Sequence, residues 1–281
     1  MREIEVNEVT RLVRQLYLTA NYRIGPDVEA AVAAAAESEP SPIGKTVLRQ
    51  LCENYRIARE ESVAVGQDTG MAVLFIDVGQ EVHFTGGDFE QAVQEGVREA
   101  YREGYLRASI VDDPLFDRKN TGDNTPAVLH LRIVPGGKVR FLALAKGFGS
   151  ENMSAVKMCT PSEGEKGVVD FIVETARKAG PNPCPPMILG VGVGGDFETA
   201  ALMAKRMTAR PLDKHHPDPR YAAMEKEALE RINRLGVGPA GIGGRTTALA
   251  VHIASAPTHI AGMPVAVNVC CHAARHAEGE L

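Results

Sequence analysis

AVLFIDV, residues 72–78, is an apolar run broken only by Asp77, with Gln67-Asp68-Thr69-Gly70 before it and Gly79-Gln80 after it. A short β-branched and aromatic run bounded by turn residues predicts a buried strand. Residues 81–84 predict a short partner strand across the Gly79-Gln80 turn. After Gly86-Gly87, residues 88–107 predict a helix with Asp88 as its N-cap. Strand, turn and helix in that order begin a pattern that continues to the C-terminus. Residues 127–134 and 138–145 predict a hairpin around Pro135-Gly136-Gly137. A helix at 165–178 is ended by Gly180 and Pro181, and 187–193 predicts a buried strand followed by a helix at 196–208. A charged helix at 219–235 and strands at 247–255 and 264–270 complete the set. Upstream, three helical segments are expected: 4–22, an Ala-rich stretch after Pro26-Asp27, and a third after Ser41-Pro42. The fold class is therefore mixed α/β: one domain over 1–281, with a helical N-terminal lobe (1–62) packed on a sheet-containing core (63–281).

Bulk properties narrow the function. The chain has 281 residues, 44% hydrophobic and 24% charged, with a net charge of −5. That charge gives no general attraction to nucleic acid or anionic lipid. No window approaches the roughly 20 apolar residues that span a bilayer. The first twenty residues are charged throughout and lack the apolar core of a secretory signal. A cytoplasmic protein is expected, with neither nucleic acid nor membrane as partner. The five cysteines (Cys52, Cys159, Cys184, Cys270, Cys271) are odd in number, irregularly spaced and without a CxxC pair. Neither a disulfide framework nor a zinc ribbon fits them.

Four stretches sit where strands are expected to end, the usual place for ligand-binding loops. They are 67–70 (QDTG), 146–152 (KGFGSEN), 182–186 (NPCPP) and 270–272 (CCH). Each alone is more often a plain turn, because Gly, Pro, Asn and Asp favour turns. GVGVGG at 190–195 matches G-x-G-x-x-G literally, and Asp213 follows at nearly the right distance for a ribose contact. The segment after its helix, RPLDKHHP (210–217), does not read as the second parallel strand that a dinucleotide fold needs. His215 and His216 in that segment read as a solvated loop.

Taken in order, QDTG (67–70), YLR (105–107), NTGDNTPA (120–127), AKGFGSEN (145–152), PNPCPP (181–186), GGRTTALAV (243–251) and THIAGMPVAVNVCCHAARH (258–276) resemble the α subunit of class I fumarases and L-tartrate dehydratases. The resemblance covers nearly the whole chain. It implies a hydro-lyase, most directly the reversible hydration of fumarate to L-malate, with L-tartrate dehydration as the alternative. It also implies a 4Fe-4S cluster, a β-subunit partner in an α2β2 assembly, and a small dicarboxylate substrate. By this similarity Cys184 and Cys271 match cluster ligands, Asp68 and His259 match catalytic positions, and Gln67, Arg107 and Gly149 match substrate-binding positions. An arginine suits two-point capture of a carboxylate. A hydroxyl β to a carboxylate leaves with help from a Lewis acid, and the proton on the adjacent carbon needs a positioned base.

The sequence departs from this family at two places. Gly66 stands where the family places its first cluster cysteine, and Phe148 stands where it commonly has glycine. Three accounts of Gly66 are open: an altered variant, substitution by Cys270 or Cys52, or a non-protein ligand. A further alternative is a cluster-free structural or regulatory subunit.

Overall fold

The computed structural model describes residues 1–281. A strand β1 (Arg2–Glu5) precedes helix α1 (Val6–Tyr22), followed by α2 (Pro26–Ser38) and α3 (Pro42–Glu61). Then come β2 (Met71–Gly79), β3 (Val82–Thr85), α4 (Phe89–Glu103), β4 (Val128–Val134) and β5 (Val139–Lys146). The second half holds a single helical turn α5 (Phe148–Glu151), β6 (Ala155–Cys159), α6 (Gly164–Ala179), β7 (Met187–Gly195), α7 (Phe197–Met207) and α8 (Pro219–Ile232). It closes with β8 (Ala248–Thr258), β9 (Met263–Cys270) and β10 (His276–Glu280). This is the mixed α/β class expected. No helix is long and apolar enough to cross a membrane. The chain forms two units, one of Met1–Ile24, Tyr55–Gly147 and Arg275–Leu281, the other of Gly25–Asn54 and Phe148–Ala274.

In the first unit the sheet order is β10-β5-β2-β4. β2 is central, antiparallel to β5 and parallel to β4, and its Leu74 and Ile76 are wholly buried in the core shared with α1 and α4. Two expectations are corrected here. Residues 127–134 and 138–145 do not form a hairpin, because β2 lies between them. Their connection wraps the end of β2 instead: Gly79 N donates to Lys138 O (2.8 Å), Gln80 N to Val134 O (2.7 Å) and Glu81 N to Gly136 O (3.0 Å). A Cβ on Gly79 would lie 2.4 Å from Gly136 O, so this wrap needs glycine. Likewise β3 pairs in parallel with β1, a strand inside the predicted first helix, and not with β2. On the sheet, α1 buries Val9, Val13, Leu16 and Ala20, and α4 buries Val93, Val97 and Ala100. Spacings of three and four put each set on one helix face. The helices touch closely at Gly96, where a Cβ would sit 2.7 Å from Thr10 O. Truncating a fully buried residue here, such as Leu74→Ala, costs about 2–5 kcal/mol.

Asp88 caps α4 as expected, accepting from Gln91 N at 2.8 Å. The helix stops at Glu103, short of the predicted 107. Tyr105 takes φ 51° and Leu106 N turns back to Tyr101 O at 3.0 Å. That turn releases Arg107 from the helix into a loop.

In the second unit the order is β6-β9-β7-β8, with β7 parallel to β8 and antiparallel to β9. One face carries α6 and α8 over Leu189, Val191, Ile253 and Val267. The other face carries α7, and here the glycine run finds its purpose. A Cβ on Gly190 would sit 2.0 Å from Ala204 O, and one on Gly192 2.1 Å from Ala200 O. The glycines let helix and strand touch backbone to backbone. No strand follows α7 before α8, so the dinucleotide arrangement is absent. β8 is an edge strand whose bonding groups are covered by side chains. Asn233 Oδ1 accepts from Ala248 N (2.9 Å), and the buried Glu225 accepts from Ile253 N (2.7 Å) while pairing with Arg210.

Candidate active site

In the first unit, three of the singled-out stretches form one polar cluster. Asp68 Oδ1 accepts from Gly70 N at 3.0 Å, closing the turn that leads into β2. Gly70 has φ +81°, and a Cβ there would lie 2.6 Å from Ala145 C, so only glycine fits. The Thr69 hydroxyl accepts from Arg107 N (2.9 Å) and donates to Arg107 O (3.2 Å). Tyr101 Oη lies 2.8 Å from both Thr69 O and Gly70 O. Asn124, fully buried, donates to Gly70 O (3.1 Å) and accepts from Ser109 N (2.8 Å). Gln67 and Arg107 are left exposed and Asp68 half-buried. Burial pushes the Tyr101 phenol well above its ordinary pKa, so it serves as a neutral donor.

The second unit joins the remaining stretches. Gly149 lies in α5, where a Cβ would be 3.3 Å from Asn182 O in the NPCPP turn. Asn182 Nδ2 lies 3.4 Å from Met153 Sδ. Glu151 pairs with Lys205 and accepts from Asn268 Nδ2 at 3.0 Å, and Ser154 Oγ accepts from Val269 N at 3.0 Å. Both latter bonds tie the Gly149 loop to β9, the strand that delivers Cys271. His272 N donates to Cys184 O at 3.5 Å, a long contact between the two cysteine loops. Cys184 has φ 52°, a left-handed conformation that costs a non-glycine residue about 1–2 kcal/mol. It is exposed and Cys271 half-buried, whereas their neighbour Cys270 is buried. The GGRTT loop is held by Glu39, 1% exposed, which accepts from Arg245 N (2.9 Å), Thr246 N (2.7 Å) and Thr246 Oγ1 (2.8 Å).

His259 stands elsewhere. It occupies the exposed turn after β8, with Nδ1 accepting from Ala261 N at 3.2 Å. Register pairs Thr258 with Gly195 at one end of β7, and Cys270 with Ile188 at the other. A nine-residue strand spans about 26 Å between those ends. His259 and the two cysteines therefore lie at opposite ends of one sheet.

The thiols test the expected cluster. No group of three or more His, Cys, Asp or Glu side chains is gathered as a metal site. Two accessible thiols do not fit a cluster held at three corners by this chain. The proposed substitutes are poor thiolates by environment or placement: burial and the neighbouring Glu29 push the Cys52 thiol up, and Cys270 is buried on the other side of its strand end. Position 66 itself has room, since a Cβ would meet only Arg275 Nη1, at 3.6 Å. Among the residues that hold the cluster of loops, Thr69, Asn124, Glu39 and Glu151 carried no expectation of their own. Thr69, Asn124 and Glu151 lie in the quoted motifs, and that was their only signal.

A family model described as "Fumarate hydratase (Fumerase)" matches residues 10–280. A Methanocaldococcus jannaschii protein named "Putative L(+)-tartrate dehydratase subunit alpha" is 36% identical over 274 residues, 96% of each chain. L(+)-tartrate dehydratase subunit alpha of Escherichia coli K12 is 32% identical over 280 residues, covering 98% of this chain and 91% of that one. With its length matched almost end to end and its motif loops built as described, the chain belongs to the fumarate hydratase (Fumerase) family.

Proposed function

We propose that this chain is the α subunit of a hydro-lyase acting on a four-carbon dicarboxylate, with the reversible hydration of fumarate to L-malate as its reaction. The observation that carries the reading is the polar frame that fixes Asp68 and Arg107 on one cluster of loops. Arg107 is presented as an exposed guanidinium whose backbone is clamped by Thr69, an arrangement suited to two-point binding of a carboxylate. Asp68 is fixed by its own turn, with Oδ1 accepting from Gly70 N, and in this reading the carboxylate orients and activates a base. Gln67 and Gly149 supply further substrate contacts in this reading. The base and the remaining cationic groups come from a β-type partner chain. The 4Fe-4S cluster of the family would meet only two accessible thiols of this chain, Cys184 and Cys271.

His259 takes its place only if a second copy of the chain receives it, because its own cysteines lie at the far end of β7. A symmetric α2β2 assembly provides that second copy. The names of the relatives favour a second reading, L-tartrate dehydration. Comparing kcat/KM for L-malate, fumarate and L-tartrate in the assembled protein ranks the two. Preference for the malate–fumarate pair supports the first reading. Preference for L-tartrate establishes the second, and turnover of none of them contradicts both.

A further inference from the structure

β4 closes one side of the first sheet, and its outer edge is open. Gln80 N donates to Val134 O at 2.7 Å, which turns the Val134 backbone toward β2. Alternation along the strand then points the N–H and C=O groups of Ala127, Leu129, Leu131 and Ile133 away from the sheet. Those of Ala127 are taken by the Gln94 side chain, whose Oε1 accepts from Ala127 N at 2.7 Å. No side chain covers the other three, whereas the edge of β8 is covered by Asn233, Glu225 and Arg210. Leu131 is 55% and Ile133 65% exposed, on the sheet face that carries Leu74, Ile76 and Val78. An open apolar edge is a template for another strand unless charge or proline blunts it. The charge on β4, Arg132, is drawn back over its own sheet by Asp77, with bonds of 3.0 and 2.8 Å. His130 lies against the Phe75 ring, with centroids 4.9 Å apart.

The strand's own sequence indicates what covers it. VLHLRIV, residues 128–134, has the same order of apolar and polar residues from either end, with Leu131 in the middle. A twofold contact needs such a pattern, because residue i meets j and j meets i. Centred on Leu131, an antiparallel pair sets Leu131 against Leu131, Leu129 against Ile133 and Val128 against Val134. Arg132 then meets His130, so the two Arg132 side chains are not opposed, which would weaken the pair. The outward groups of Leu129, Leu131 and Ile133 fall on the hydrogen-bonded positions of that ladder.

We propose that two copies of this chain join edge to edge through β4, antiparallel about Leu131, into one continuous sheet. The inference is independent of the reaction assigned above, and it is read by association rather than by turnover.

The test is sedimentation equilibrium of the full chain, alone and with a β-type partner. The wild type should self-associate. Leu131→Lys and Leu131→Glu each set like charges face to face and should weaken that association by about 10²-fold. Mixed together, the two variants should associate again, because opposite charges then meet. Leu131 is more than half exposed, so neither substitution should move the melting temperature. A cross-link reads the register with Leu131 left in place. Residues opposed at non-hydrogen-bonded positions lie about 4.5 Å apart at Cα, within disulfide range. His130→Cys combined with Arg132→Cys in one chain should therefore give a covalent dimer on oxidation, and either substitution alone should give no more than wild type. A monomeric wild type, self-association that both charge variants leave intact, or no cross-link in the double variant overturns the proposal. Loss of β-type partner binding with self-association unchanged also overturns it, and assigns the edge to that partner instead.

Discussion

The two units hold their loops by different means. In the first, side chains within the loops do the holding: Thr69 clamps Arg107, Asn124 bridges Gly70 and Ser109, and Tyr101 covers two carbonyls. In the second, tight turns and one charged group, Glu151 with Lys205 and Asn268, hold loops that present thiols. The difference follows the chemistry offered. A carboxylate and a guanidinium must be aimed, and aiming takes a satisfied polar frame. A thiol needs chiefly to be exposed, and Cys184 is exposed at a left-handed turn. The units differ in acid sensitivity as well. Tyr17 and Tyr101, buried in the first, have pKa values pushed upward and stay neutral through the acid range. The second buries His252 and Glu39, which respond to acid.

The largest effect expected concerns the first frame and the distant histidine together. Asp68→Asn and His259→Ala in the assembled protein should each lower turnover by about 10²–10⁴-fold, the usual worth of acid–base assistance. Mixed before assembly, the two variants should recover about a quarter of wild-type turnover, because half the random dimers carry one intact site. Activity unchanged in either single variant, or no recovery on mixing, would break the assignment concerned.

Acid should separate the units next. Burial, with Arg210 nearby, pushes the His252 pKa down to about 4 from 6.5. The unfolded chain binds that proton first, so stability is full above about pH 6.5 and falls as pH drops toward 4. At 1.36 kcal/mol per unit, the loss reaches about 3 kcal/mol. Burial alone would raise the Glu39 carboxyl, but donors from Arg245, Thr246 and Ser41 bring it below its ordinary value. Its contribution is present above the unfolded carboxylate pKa and is lost as pH falls through the lowered folded value. Hydrogen exchange between pH 7 and pH 4 should show second-unit amides losing protection first. Equal loss in both units would erase this part of the comparison.

The smallest effect belongs to Arg107→Lys. It keeps the charge and loses the planar two-point contact, so KM should rise about tenfold with thermal stability unchanged. An unaltered KM would remove Arg107 from the substrate contacts.

The fold was largely legible where burial and turn chemistry agreed. The run at 72–78, the Asp88 cap and the helices after Pro26 and Pro42 all appear in the structure. Strand partners were not legible, because an apolar run says that a strand is buried and not which strand lies beside it. Thus Pro135-Gly136-Gly137 read as a hairpin turn, while β2 occupied the space between its arms. β6 and β10 were missed since AVKMC is a short, largely exposed edge segment and HAEGE is a polar edge segment with a weak strand signal. Around the candidate site, motifs located the loops but not the residues that hold them. Glu39 lies 206 residues from its Arg245 partner, and no local pattern reports such a bond. The place of His259 depended on strand register, which the motif order does not contain.

The most direct test of the α-subunit reading is turnover of fumarate and of L-tartrate by this chain alone, by a β-type partner alone, and by the two combined under anaerobic conditions. The account predicts turnover only in the combination, because the proposed function takes the base from the partner chain. Full turnover by this chain alone, or none of either substrate by the combination, would contradict it.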